Sequence, residues 1–548
     1  MTEERKIFRP YRDATLDSPL SHFVQRPFLC CLYPFIRILL PIRWFLSQPF
    51  QIRLLPKCFP VLKWPGFESL PYITIGHFVL VLPQIYLLYL GYQQSFGSAR
   101  DVEQSGHTAS FALVLTYFTS FKSNSAISFF FGLSYERMIP YHNWSAVVAV
   151  IIGILHTYVA FVYGGSSDPA DNSQYSVYAG NPKFILFCFD HKKNASGTIL
   201  ILFMILLVGT SLFPIMRRWN FNLWLFIHIL SAICVVIFSF QHEVNVVVIT
   251  SVFWIIDLFV RHVVMALCKY PTKANLRMIL PDVVEISFPK GNNFDYRAGQ
   301  FVHIAVPKVS WVEFHPITIS SAPHESNVTM HVQVIGDWSG KLAELSRENQ
   351  EVTIFVEGPY GSLSIDLNND RKYQMILMIS GGIGVTPCQS IAKSVLEDKK
   401  GGRKLHKIRY VWAVRNMDLP LAMSPLSKDN ADENVSSLTS PLLTYDKDDL
   451  NGPIQIDVFD TSESAEDTEK NSEINKPFNH HFGRPNLDDI FTEIKEEVTQ
   501  HRLKHVAVIS CGPSSMLDDV REACRKHSSH DLQCCGVRFD LHEEVFNN

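Results

Sequence analysis

Apolar residues crowd the first half of the chain and alternate with polar ones in the second. Between 71 and 268 six apolar stretches follow one another: 71–92, 105–122, 142–164, 197–216, 222–241 and 245–268. Each approaches the roughly 20 residues that a helix needs to cross a bilayer. The second is the shortest, and Lys122 closes it. The segment SAISFFFGLSYERMIP (125–140) reads as an amphipathic stretch lying along the interface. Residues 28–48 are apolar but broken by Arg37 and Arg43, which favours an interfacial helix over a seventh span. Beyond 270, the runs VEISF, FVHIAV, ITISS, MHVQVIG and VTIFVEG predict short strands separated by turns. From about 372 the pattern becomes strand, Gly-rich turn, helix: YQMILMIS, GGIGVTP, CQSIAKSVLED, with further strands at KIRYVWAV and HVAVIS. That is α/β with a parallel sheet. Residues 424–480 are rich in Ser, Asp, Glu and Asn, and a disordered insertion is expected there. The expected fold is multi-domain: an N-terminal segment (1–70), a six-helix transmembrane bundle (71–268), a β domain (270–366) and an α/β nucleotide-binding domain (367–548).

Composition narrows the classes. The 548 residues carry a net charge of −4 and are 47% hydrophobic and 19% charged, which excludes a largely disordered chain. The near-neutral balance excludes a nucleic-acid partner bound by bulk charge. Eleven scattered cysteines form no C-x-x-C pair, against a disulfide scaffold or a zinc ribbon. The start, MTEERKIFRPYRD, lacks the apolar core of a signal peptide. With the N-terminus in the cytosol, the inner flanks carry Arg53, Lys57, Lys63, Lys122, Arg137, Arg217, Arg218, Arg261, Lys269 and Lys273. The outer loops carry only Arg100, Lys183, Lys192 and Lys193. This bias places both termini inside. The outer loop expected over 165–196 holds the glycosylation sequon Asn194-Ala195-Ser196. The sequons at Asn143, Asn327 and Asn434 would be silent in the membrane or the cytosol.

Four histidines share one spacing. His142 and His156 lie in the third span, and His228 and His242 in the fifth; each gap is 14. On a helix, fourteen steps return a side chain to within about 40° of the same face, about 21 Å along the axis. Spans three and five run in the same direction. First therefore pairs with first and second with second: His142 with His228 on the inner side, His156 with His242 on the outer. Two imidazoles per metal suit a six-coordinate haem built for electron transfer. A single intramembrane histidine is more often a polar bundle residue; the repeated spacing singles out these four. His77 and His107 have no such partner and read as structural. Asp257 and Arg261 are four apart and pair as charge compensation at a helix end. Arg137, Arg217 and Arg218 lie where inner-haem propionates would be held, although the ordinary positive-inside bias places arginines there too.

Two stretches of the second half suit nucleotides. FHPITISSAP (314–323) leads into a strand and then GDWSGKL, whose backbone N–H groups, with Ser339, could receive a pyrophosphate at a helix N-terminus. An ordinary β-turn reads the same way. SGGIGVTP (380–387) follows an apolar strand and opens a helix, letting the backbone approach a phosphate or ribose. ISCGPSSML (509–517) is a second such turn, placing Cys511 and Gly512 at the carboxyl edge of the same sheet. Arg415, after the strand VWAV, suits the 2′-phosphate of NADPH, or is a solvated loop charge.

Together these motifs resemble the ferric reductase and NADPH oxidase superfamily of transmembrane flavocytochromes b. The likeness covers roughly 70–548 less the insertion. It rests on the two His-x13-His pairs, GQF (299–301), HPITISS (315–321), GDWS (336–339), VEGPYG (356–361), GGIGVTP (381–387), GRPN (483–486), CGP (511–513) and HEEVF (542–546). The resemblance implies a haem-binding transmembrane domain, an FAD-binding β-barrel and a ferredoxin-reductase-like NADPH domain. It implies FAD along His315, Pro316, Ile317, Thr318 and Ser321, with Ser339 beneath its pyrophosphate. NADPH would contact Gly382, Gly384, Thr386, Pro387, Arg415, Cys511 and Gly512, and Phe546 would sit by the isoalloxazine. The sequence departs from the family pattern at Asn143, Ile317 and Gln333, and it ends two residues beyond Phe546 without a final Trp.

The relay so implied passes a hydride from NADPH to FAD and then single electrons through two b-type haems. No acid–base catalytic residue is required. The expected acceptor is a ferric or cupric chelate, because the gap of 14 in the second pair and HEEVF look like ferric reductases. The alternative is dioxygen, as SSAP and GDWS resemble oxidases. No EF-hand pattern is present, so direct calcium control is not expected. The expected partners are the lipid bilayer, the acceptor, and a partner subunit or second copy. The expected location is the plasma membrane, with the endoplasmic reticulum as the alternative.

Overall fold

The structure is a computed structural model. It describes residues 49–50, 73–97, 100–121, 135–163, 192–212, 214–291, 294–348, 351–361, 363–423, 452–462, 478–529 and 536–544. The expected interfacial segment 28–48, most of the outer loop and Phe546 lie outside them. The chain divides between Arg261 and His262 into two compact units.

The first unit is helical: α1 (Ile75–Ser95), α2 (Val102–Ser120), α3 (Tyr135–Tyr163), α4 (Lys192–Leu212), the short α5 (Pro214–Trp219), α6 (Phe221–Gln241) and α7 (Asn245–Phe259). The last runs on as a wide-turned helix, Val260–Lys269. Among the described residues four stretches are long and apolar enough to span a membrane: Met138–Val162, Lys192–Leu212, Leu223–Gln241 and Asn245–Lys269. Over the stretches expected at 71–92 and 105–122 lie α1 and α2, and α2 is the less apolar of the two. α2 opens on Val102-Glu103-Gln104-Ser105, whereas α1 is as apolar as α3 and α4, with Pro83 inside it. The third helix starts at Tyr135, so residues 135–140 of the expected interfacial stretch are its first turns. Likewise α4 begins at Lys192, and the sequon at Asn194 is in a helix with Ser196 buried, not in a free loop.

Burial in this unit is inverted relative to a water-soluble bundle. A narrow seam of Leu87, Leu113, Ala149, Ile152, Leu200, Val235 and Val247 is buried, while Phe226, Phe240, Ile249 and Phe253 face outward. Such an apolar exterior is stable against hydrocarbon, not water. Polar side chains link helices inside. The Gln84 amide donates to Ser145 Oγ (2.7 Å), and the Thr108 hydroxyl donates to Gln94 Oε1 (2.9 Å). Asp257, buried, and Arg261, mostly buried, pair at 2.9 Å, as their spacing predicts.

The second unit begins with an antiparallel sheet: β1 (Pro271–Leu280), β2 (Val283–Pro289), β3 (Phe301–Ala305), β4 (His315–Thr318), β5 (Asn327–Gln333) and β6 (Glu351–Tyr360). The order is β4-β3-β6-β1-β2-β5, and a bridge from Ile319 to Met330 joins its two edges. Helix α8 (Asp337–Arg347) lies between β5 and β6. A parallel sheet follows: β7 (Met375–Gly381), β8 (Lys407–Val414), β9 (Ile454–Asp460), β10 (Asn479–Phe482), β11 (His505–Cys511) and β12 (Arg538–Glu544). Its order is β10-β9-β8-β7-β11-β12, packed by α9 (Val385–Lys400), α11 (Leu487–Gln500) and α12 (Ser514–His527), with the one-turn α10 (Asp418–Ala422) after β8.

One expectation is corrected here. The stretch 424–480 is not a single insertion, because β9 lies within it, paired with β8 along its length, and β10 begins in its last residues. Ile454, Ile456 and Val458 enter the core. Asp457 is buried against Arg409 Nε at 2.7 Å. A seven-residue strand disappears when composition is averaged across polar neighbours on both sides.

Candidate cofactor sites

The four histidines are presented in one way. His142 Nδ1 meets the carbonyl of Thr116 at 3.0 Å, and His242 Nδ1 meets that of Lys193 at 3.0 Å. A carbonyl only accepts, so both rings carry their proton on Nδ1 and leave Nε2 with its lone pair. His156 Nδ1 lies 2.9 Å from Ser105 Oγ, whose own hydrogen goes to the Val102 carbonyl (2.8 Å). The serine therefore accepts from His156, and the tautomer is again Nδ1–H. Ser196 plays the same part at His242 (3.3 Å), donating to the Lys193 carbonyl (2.8 Å). Ser211 lies 3.3 Å from His228 Nδ1. Outer partners of this kind fix the ring and raise ligand basicity. α2 supports both histidines of α3, and α4 supports both that follow on α6 and at its end.

The outer rings, His156 and His242, have centroids 6.3 Å apart. Two imidazoles bonded through Nε2 to one ion at roughly 2.0 Å each require a centroid separation of about 6 Å. Two glycines clear the space. A Cβ on Gly197 would lie 2.7 Å from His242 Cε1, and one on Gly106 would lie 3.3 Å from His156 Cε1. A haem fits this cradle. Sequence reasoning found the histidines and missed their supports. The signal was present: the dipeptide Ser-Gly occurs at 105–106 and again at 196–197, on the two supporting helices. Of the arginines proposed for propionates, Arg217 is exposed, while the side chains of Arg137 and Arg218 lie outside the described residues.

In the parallel sheet the Gly-rich turn and the Cys-Gly-Pro turn are brought together, because β7 and β11 are neighbours with Ser380 opposite Cys511. The strand order reverses here, and the crevice at such a point is where open α/β sheets bind ligands. Gly382 adopts φ +54°, and Trp412 Nε1 donates to its carbonyl (2.9 Å), locking the turn from below. A Cβ on Gly384 would lie 2.6 Å from the Cys511 carbonyl oxygen, and one on Gly512 would lie 3.1 Å from Gly381 N. The glycines thus let the two turns touch. Arg415 is exposed at the end of β8, on the same edge. Gly382 and Gly512 are part-exposed, whereas Gly384, Thr386, Pro387 and Cys511 are buried. Cys511 offers no surface: it is fully buried behind Gly384, and burial pushes its thiol and that of Cys388 up.

In the antiparallel sheet His315 and Pro316 lie toward the surface of β4, with Ile317 and Thr318 buried behind them. The His315 ring stacks on Trp338 (centroids 4.2 Å). Burial holds its imidazole below the ordinary value, against the pull of Glu313. Its Nε2 lies 3.8 Å from Glu313 Oε2, and Trp338 Nε1 is buried without a hydrogen-bond partner among the described residues, as a polar group awaiting a ligand would be. The FAD expected here fits on that count. Two expected contacts do not. Ser339 Oγ accepts from the N–H of Ile335 (2.9 Å) and of Gly336 (3.0 Å), so it caps α8 instead of facing a pyrophosphate. Ser321 is buried, with its hydroxyl between Tyr296 Oη (2.9 Å) and Thr329 N (2.9 Å). Its carbonyl accepts from Ser390 Oγ of α9 (2.7 Å), tying the two sheets' domains together. Gly299 (φ +83°) makes room there for Ile391. His542 of the terminal HEEVF does the same, accepting on Nδ1 from Ser364 N (3.1 Å).

Comparison with known proteins follows the same divisions. A family model described as the ferric reductase like transmembrane component matches residues 73–239. An FAD-binding domain matches 269–364. A ferric reductase NAD binding domain matches 373–525. Dual oxidase 2 of Homo sapiens is 22% identical over 458 residues, covering 78% of this chain and 29% of that protein. A superoxide-generating NADPH oxidase heavy chain of Dictyostelium discoideum is 23% identical, covering 75% and 63%. NADPH oxidase 1 of Mus musculus is 28% identical over 276 residues, covering 48% and 44%. The chain thus spans less than two thirds of each of these relatives. With a transmembrane component, an FAD-binding domain and an NAD-binding domain in this order, the chain is an integral membrane protein that belongs to the ferric reductase and NADPH oxidase superfamily.

Proposed function

We propose that the protein carries electrons across a membrane, from cytosolic NADPH through FAD and two haems to an acceptor on the far side. The observation that carries this is the set of four histidines, anchored alike through Nδ1 and paired at iron-binding distance on the outer side. When bound, FAD supplies the step from paired to single electrons and the haems supply one-electron sites in series. His142 and His228 would hold the inner haem, and His156 and His242 the outer. With two histidines assigned to each haem, no position on iron would be left for the acceptor, and the haems would supply electrons without binding it. His315, Pro316, Ile317 and Thr318 would lie along FAD. Gly382, Gly512 and Arg415 would meet NADPH, with Gly384, Thr386, Pro387 and Cys511 shaping the turn from beneath. The six helices would all cross the bilayer, with both termini in the cytosol.

Dioxygen is the acceptor favoured by the relatives, two of whose names are NADPH oxidases. A ferric or cupric chelate is the second reading, supported by the fourteen-residue gap between His228 and His242. The test uses purified full chain loaded with haem and FAD, given NADPH and a ferric chelate. Reduction abolished both by superoxide dismutase and by removing oxygen supports dioxygen. Reduction that survives both supports the metal. Absence of NADPH-dependent haem reduction under either condition overturns the relay.

A further inference from the structure

One donor beside the inner histidine pair has no acceptor among the described residues. Trp224 lies one helical turn before His228 on α6, their rings 5.4 Å apart at 36°. Its Nε1–H is sealed from solvent and makes no hydrogen bond there. Buried indole N–H groups normally find a partner. A tryptophan acting only as an interfacial anchor would turn this edge to water or headgroups. Trp224 instead keeps it buried, one turn before His228, which on the orientation proposed above is the cytosolic side of the inner pair. A haem held by His142 and His228 would bring two carboxylates, and propionates seek the polar side of a membrane.

We propose that Trp224 donates its Nε1–H to a propionate of the inner haem, in addition to packing on His228. This rests on the two-haem reading above. The bond disperses negative charge close to the iron. It therefore favours the reduced state and holds the inner haem at a higher potential than it would have without the bond.

The test is a redox titration of purified full chain, wild type against Trp224→Phe, which keeps the packing ring and removes only the donor. Two haems per chain are expected in both. One midpoint potential should fall while the other stays, and the resonance Raman propionate-bending band should shift. Both potentials and the band unchanged would overturn the proposal alone. A wild-type protein without two haems would overturn the haem reading and the proposal with it. Should Trp224→Phe fail to fold, the ultraviolet Raman band of indole hydrogen bonding decides. Haem-loaded wild type should show one more hydrogen-bonded indole than haem-depleted wild type, and no difference refutes the bond.

Discussion

Replacing Gly197 with alanine should empty the outer histidine pair of its haem. The new Cβ would lie 2.7 Å from His242 Cε1, where carbon atoms rest at about 3.5–4.0 Å. The ring must then retreat by roughly 1 Å. It is held by Nδ1 contacts of 3.0 Å to the Lys193 carbonyl and 3.3 Å to Ser196. A shift of that size takes both beyond hydrogen-bond range. Losing the anchoring bond costs about 1 kcal/mol and the overpacking about 1–3 kcal/mol. Haem affinity at this site should fall on the order of 30- to 1,000-fold, at ~1.4 kcal/mol per tenfold. Two companions grade the effect. Gly106→Ala meets His156 at 3.3 Å and should weaken haem binding only slightly. Gly209→Ala, on the same helix as Gly197, meets nothing within 4 Å and should leave it alone. The assay is haem per polypeptide, by the pyridine haemochrome spectrum, with a redox titration of what remains. Wild type should hold two haems, Gly197→Ala one, Gly209→Ala two. Two haems of wild-type potential in Gly197→Ala would refute the steric argument and the place of His242 as a ligand.

Ser105→Ala removes the one acceptor seen for His156 Nδ1–H among the described residues, so the outer-haem potential should shift. Ser196→Ala should shift it less, because His242 keeps the Lys193 carbonyl; spectroelectrochemical titration compares them. Arg415→Ala should raise the KM for NADPH about 10- to 100-fold, the worth of a charge-assisted hydrogen bond, and leave NADH oxidation unchanged. Equal effects on both nucleotides would remove Arg415 from the 2′-phosphate. Burial pushes the Asp540 carboxyl up, but His505, Lys372, Arg538 and Tyr373 together hold it below the usual carboxylate range. Its contribution to stability is therefore present above the ordinary aspartate pKa and is lost as pH falls through the depressed one. Asp540→Asn should cost about 2–3 kcal/mol at neutral pH, and the deficit should shrink in strong acid. Denaturant titration of the full chain followed by flavin fluorescence at several pH values reads this directly, and a deficit independent of pH would contradict it.

Periodicity and spacing carried much of this molecule. Long apolar runs can satisfy their backbone only as helices, so the helices were legible apart from their ends. The fourteen-residue gaps follow from helical pitch, and they put His142, His156, His228 and His242 in register without any knowledge of neighbours. The Gly-rich turns after β7 and β11 were equally legible, because backbone conformation at glycine is a local property. Other features depended on partners distant in the chain. β9 was lost in polar surroundings and is a strand because β8 and β10 complete its hydrogen bonds. Ser339 and Ser321 have the right chemistry for a nucleotide, yet the cap of α8 and the contact with α9 use their polar atoms. Thr116, Ser105, Ser196, Ser211, Gly106 and Gly197 matter for where their helices lie against the histidines, and helix packing sets that. The sequence alone determined which residues can bind iron and which turns can admit a phosphate, since those are matters of side-chain chemistry and local backbone geometry. Only the tertiary structure decided which nitrogen of His142, His156 and His242 is free, which serines are already spoken for, and which glycines cannot take a methyl group. Each of these depends on what another segment places within about 3 Å.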